Sequence, residues 1–190
     1  MFDIPKHKVF ISYHHDNDEE YKKRFVEVFG EILDGFIDKS VEDGDIDDTN
    51  LSAEQIYKII RDEYIKDSTV TIVLIGIEIW RRKHIDWEIA TSLWNGLKNK
   101  RNGLLGILLP TYHNGINPEY KKYNPCTIPP RLYDNIKCGY AKIYEWTEDV
   151  NFIIKIIHEA YERRFKVKPD NSRERFKYNK PYLVNRLVWR

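Results

Sequence analysis

Ser68-Thr69-Val70-Thr71-Ile72-Val73-Leu74-Ile75 is an almost unbroken run of apolar and β-branched residues. A strand with one wet face would alternate polar and apolar residues. A run without alternation fits a central strand of a parallel sheet, covered by helices on both faces. Lys8-Val9-Phe10-Ile11-Ser12 and Gly103-Leu104-Leu105-Gly106-Ile107-Leu108-Leu109 read the same way, the second stopped by Pro110. Phe36-Ile37 reads as a short strand, and Tyr140 to Tyr144 as an edge strand.

Helical patterns lie between these runs. Tyr21, Phe25, Phe29, Ile32 and Leu33 recur at spacings of three and four, and Gly35 is the expected cap. Ser52 with Gln55 makes a capping box, and Leu51 with Ile56 a hydrophobic staple, before a helix through Ile59, Ile60 and Tyr64. A helix is expected from about Asp86 to Asn99, and a last one through Val150, Ile153, Ile154, Ile157 and Tyr161, capped by Thr147 or Asp149. Residues 110–140, with Pro118, Pro125, Pro129 and Pro130, read as an irregular covering segment. Strand and helix alternate over residues 8–163. That order predicts an α/β fold of the flavodoxin-like, three-layer kind, with a mostly parallel five-stranded sheet. The domain is expected over residues 1–163. Residues 164–190 read as a basic C-terminal extension, packed back through Leu183, Leu187 and Trp189 or reaching a partner or the acidic loop.

The 190 residues carry 31 Lys and Arg against 30 Asp and Glu, a net charge of +1. This balance gives no argument for nucleic-acid or membrane-surface binding. No apolar run approaches the roughly 20 residues of a membrane span. Residues 1–9 lack the apolar stretch of a signal peptide. Cys126 and Cys138 are too few for a disulfide framework or a cysteine-rich zinc site. A cytoplasmic location is the expectation.

Ligands of an open parallel sheet bind outside the carboxyl ends of its strands. The loops there offer Tyr13, His14, His15 and Asp16, an acidic segment over residues 38–50, and Trp80 to Glu88. Glu88 is expected in the first turn of a helix, beside aromatic residues that can desolvate it. A carboxylate so placed can stabilise a developing positive charge or hold a ribose hydroxyl. Equally, acidic residues favour helix first turns through the macrodipole. Asp43, Asp45, Asp47 and Glu54 sketch a calcium loop, but Asp48 stands where that loop needs glycine. The histidines have no zinc-like spacing, so no metal is expected. Neither a P-loop nor a dinucleotide fingerprint is present.

Val9-Phe10-Ile11-Ser12-Tyr13 resembles the first box of TIR (Toll/interleukin-1 receptor) domains, and Trp87-Glu88-Ile89 the helix start that carries that family's catalytic glutamate. The order between them is similar too: helix, short strand, acidic loop, helix, central strand. Within the family, the chain looks most like the bacterial TIR subunits of the Thoeris anti-phage defence system. The resemblance covers about residues 6–163. It implies an enzyme that cleaves NAD at the nicotinamide-ribose bond, with NAD as substrate and no cofactor. The product would be a cyclic ADP-ribose-type signal that activates a separate, NAD-depleting effector. It implies Glu88 as the catalytic carboxylate. Tyr13, His14, His15, Trp80, His84 and Trp87 are expected to bind substrate, with His84 where many members have tryptophan. It also implies self-association through TIR surfaces, the acidic segment 41–50 being the loop used for association and gating, and activity silent until triggered. The alternative is a TIR module that only binds other proteins, for which Glu88 is not needed. A phospho-receiver lacks its acidic cluster here, while a base-exchanging nucleoside transferase would also use a glutamate.

Overall fold

The computed structural model describes residues 5–37, 40–42, 44–96, 100–113 and 123–181. Its strands are β1 (Val9–Ser12), β2 (Phe36–Ile37), β3 (Val70–Ile75), β4 (Gly103–Leu108) and β5 (Ala141–Glu145). They form one parallel sheet in the order β2-β1-β3-β4-β5, the flavodoxin-like order expected. Every residue of β1, β3 and β4 is buried, which is why these strands show no alternation in the sequence.

The helices are α1 (His15–Phe29), α2 (Ala53–Glu63), α3 (Lys83–Leu93), α4 (Pro110–His113), α5 (Pro130–Lys137) and α6 (Val150–Lys166). Helices α1 and α6 cover one face, where Phe25, Phe29, Ile153 and Ile157 pack on Val9, Ile11, Ile72 and Leu74. Helices α3 and α5 cover the other, with Ile85, Ile89 and Leu132 against Val73, Ile75 and Leu108. Phe10, Ile56, Ile60 and Trp87 extend that layer under α2. The expected capping box forms: Ser52 Oγ accepts from the Gln55 amide, and the Gln55 side chain accepts from the Ser52 amide.

Four boundaries differ from expectation. Helix α1 ends at Phe29, with Gly30 as its C-cap. Gly35 instead turns the chain into β2 at φ +119°, and its carbonyl accepts from the Val9 amide. Helix α3 begins at Lys83 and stops at Leu93, because Trp94 is extended and the buried Arg61 takes the carbonyls of Thr91 and Trp94. Residues 110–140 are less irregular than expected, since Pro130 opens α5 as its first residue, where a missing N–H costs nothing. The C-terminal segment leaves α6 after Lys166 and lies against α3 and α5. Leu183, Leu187 and Trp189 fall outside the described residues.

Candidate active site at the carboxyl edge of the sheet

Phe10 points to the α2–α3 side of β1, so Ser12, two residues on, points there as well. Glu88 meets it from α3. Because α3 starts at Lys83, Glu88 lies in the second turn, not the first, and a first-turn preference for acids does not account for it. Its side chain is fully buried. Ser12 Oγ donates to Oε2 at 2.6 Å, and the Val41 amide donates to Oε1 at 2.7 Å. Burial pushes the carboxyl up to about 8, against the opposing pull of these two donors.

A cleft of about 250 Å³ opens next to this corner. Its walls are Tyr13, His14 and His15 from the turn after β1, Val41 and Glu42 from the acidic loop, and Arg82 and His84 from the start of α3. Val41 stands between the cleft and Glu88: it lines the first and caps the second. The Tyr13 hydroxyl donates to Glu19 Oε2 and lies 3.1 Å from His15 Nδ1. His15 also pairs with Ser40 Oγ and sits 3.2 Å from Glu42 Oε1, which ties the loop to the start of α1. His14 is buried, and neither of its ring nitrogens makes a hydrogen bond among the described residues, although Asp16 Oδ2 is 3.4 Å away. Burial, then the nearby Arg82 cation, keep its pKa below the usual imidazole value.

Four of the residues expected to bind substrate therefore share this cleft: Tyr13, His14, His15 and His84. Two do not. Trp87 is wholly buried in the core beside Phe10, and its indole N–H is held by the Phe176 carbonyl at 2.7 Å. Trp80 is half-buried in a 3-10 turn (Ile79–Arg81) and is not one of the cleft walls. In the acidic loop, Asp45 Oδ2 accepts from the Glu42 amide and the Tyr64 hydroxyl, and Asp47 Oδ1 from Thr49. These carboxylates are occupied by protein donors, and Asp43 lies outside the described residues.

Three residues of the site escaped the sequence reading. Ser12 was legible only as a polar residue ending a buried strand. Val41 acts through its backbone, which leaves no side-chain signal. Arg82 stood in view within the Trp80–Glu88 segment but was given no role there.

A family model described as Thoeris protein ThsB, TIR-like domain, matches residues 10–114, more than half of the chain. The chain belongs to the ThsB TIR-like family. The match runs from β1 through α4 and contains Ser12, Val41 and Glu88. It ends before β5, α6 and the basic tail. A solved structure of the TIR domains of the activated Roq1 resistosome directly recognizing the pathogen effector XopQ is similar over 85% of this chain and 84% of that one, at 12% identity and a TM-score of 0.35. None of the curated proteins matches the chain. Among the described residues, no helix is long and apolar enough to cross a membrane.

Proposed function

We propose that this TIR-like protein is an anti-phage defence enzyme that breaks the nicotinamide-ribose bond of NAD and releases a cyclic ADP-ribose-type signal to a separate, NAD-depleting effector. The observation that carries the reading is Glu88. It is a glutamate buried with no cation partner among the described residues, on a rigid helix, gripped by two donors behind the cleft at the sheet's carboxyl edge. Burying a carboxyl without a counter-charge costs a fold stability, and such groups cluster at functional sites.

The chemistry follows from charge. The C–N bond breaks with its electron pair leaving on neutral nicotinamide, so no general acid is required. Positive charge develops on the ribose, and an ionised carboxylate beside it stabilises that charge. Water, or an atom of the same ADP-ribose, then takes the ribose carbon. A site that excludes water favours the second route, which closes a ring.

On this reading, the arrangement is a resting one. The cleft of about 250 Å³ is smaller than the roughly 300–1,000 Å³ of small-molecule sites. Burial also works against the ionised form of Glu88 while it is covered. Withdrawal of Val41 would expose it, and the cationic nicotinamide ring would favour its ionised form. We expect that opening to accompany self-association through the acidic loop.

The test compares small-molecule extracts from phage-infected cells carrying the intact protein or Glu88→Gln, by mass spectrometry. A new ADP-ribose-derived species, present only with the intact protein, is the expected result. Matching extracts, with defence retained by the variant, would overturn the enzymatic reading in favour of a protein-binding TIR module.

A further inference from the structure

The hydrogen-bond directions around Glu88 are not symmetrical. The Val41 amide can only donate, so Oε1 must accept from it in either charge state. A proton on the carboxyl therefore sits on Oε2, which faces Ser12 Oγ at 2.6 Å. A hydroxyl can donate or accept. Ser12 donates when Glu88 is ionised and accepts when it is neutral. No backbone amide and no cation could do both. Ser12 is itself fully buried at the end of β1, paired in register with Val73, so its position is fixed by the sheet.

We propose that Ser12 is a positioning residue for Glu88, a reversible hydrogen-bond partner that keeps the carboxyl aimed at the cleft edge through both of its charge states. The role in turnover rests on Glu88 being the catalytic carboxylate; the hold itself does not. Among the described residues, the charged and titratable groups around this corner are Tyr13, His14, His15 and Asp16 after β1, Glu42 and Asp45 from the acidic loop, Tyr64 from the end of α2, and Arg82 and His84 from the start of α3. The hydrogen bonds to Glu88 among the described residues come from Ser12 and the Val41 amide, and Oε2 faces Ser12. In the buried, closed state the Ser12 hydrogen bond favours the ionised form.

The experiment is a pH titration of the Glu88 carboxyl in the full chain, by carbon NMR of glutamate-labelled protein, with Glu88→Gln identifying the signal. Ser12→Ala removes the hydroxyl without adding volume. Its Glu88 midpoint is expected to rise by up to about one pH unit, the excess of a charge-assisted hydrogen bond over the neutral one that Ser12 makes to the protonated carboxyl. Ser12→Thr, which keeps a hydroxyl, should return the midpoint toward that of the parent protein. The acid limb of the NAD turnover profile should move with the midpoint. An unchanged midpoint in Ser12→Ala would overturn the proposal. If Glu88→Gln kept full turnover, the catalytic reading would fall, while the titration would still decide whether Ser12 holds the carboxyl.

Discussion

Glu88 is fully buried and, among the described residues, pairs with no cation, and that burial can be read in stability as well as in catalysis. Its pKa is raised from 4.5 to about 8 in the fold. Between those values the folded protein binds more protons than the unfolded chain, so stability falls as pH rises through the window. Glu88→Gln keeps the geometry: its amide oxygen accepts from Val41, and its NH₂ donates to Ser12. The variant should therefore gain thermal stability over the parent progressively from about pH 4.5 to above pH 8, with the difference flat below that window. Equal pH dependence in the two melting curves would mean that Glu88 is solvated in solution. Asp18 repeats the pattern on the α1 side. It is buried, Oδ2 has no hydrogen-bond partner among the described residues, and burial raises its pKa from 3.8 to about 7. Asp18→Asn should show the same gain over its own lower window. At this scale the sequence reading was uneven. Glu88 stood out because it is a charged group next to aromatic residues. Its partners did not, because one is a small hydroxyl in a strand and the other a main-chain amide.

Among the elements, α3 positions the site, and α6 covers the opposite face of the sheet. Helix α3 carries Glu88 and is buried along nearly its whole length. Its expected end at Asn99 was wrong because the cap is a side chain from another helix, Arg61, 30 residues away in sequence from Thr91. No local pattern reports such a cap. The strands were legible because burial on both faces leaves an unbroken apolar run. Their glycines were legible only as residues, not as contacts. Gly103 opens β4 where α6 crosses it, and a Cβ there would lie 2.3 Å from the Ala160 carbonyl oxygen. Backbone cannot swing aside as a side-chain tip can. Gly103→Ala should therefore push α6 off the sheet, at a cost of roughly 1–3 kcal/mol. Chemical denaturation measures the cost. Hydrogen exchange should place the lost protection in α6, and unchanged protection there would contradict the close approach.

Over the whole molecule, the tail is a strap across the helix that carries Glu88. Its anchor is the buried pair Arg131–Asp86, with Nε to Oδ1 at 2.8 Å. Arg131 has donors left over, and the tail uses them: the Asn171 side chain and the Arg173 and Glu174 carbonyls accept from its Nη groups. The Phe176 amide then donates to Asp86 Oδ2, and the Phe176 carbonyl holds Trp87. Arg175 reaches Asp48 of the acidic loop at 3.7 Å, beside Lys83 at 3.1 Å. Contact with that loop was one of the alternatives left open by the sequence, beside packing back through Leu183, Leu187 and Trp189. The polar, main-chain character of its grip was not legible, since carbonyls leave no mark in a sequence. Removal of Arg131 strands a buried carboxylate and releases three tail contacts together. Arg131→Ala should cost about 3–5 kcal/mol. Arg173→Ala breaks a 2.7 Å bridge to Asp134 at a partly exposed site, and should cost about 0–1 kcal/mol. Limited proteolysis under native conditions should cut residues 168–181 of the Arg131 variant first, while the parent and the Arg173 variant resist. Equal stability losses in the two variants would mean that the strap is held along its length and not by the buried pair.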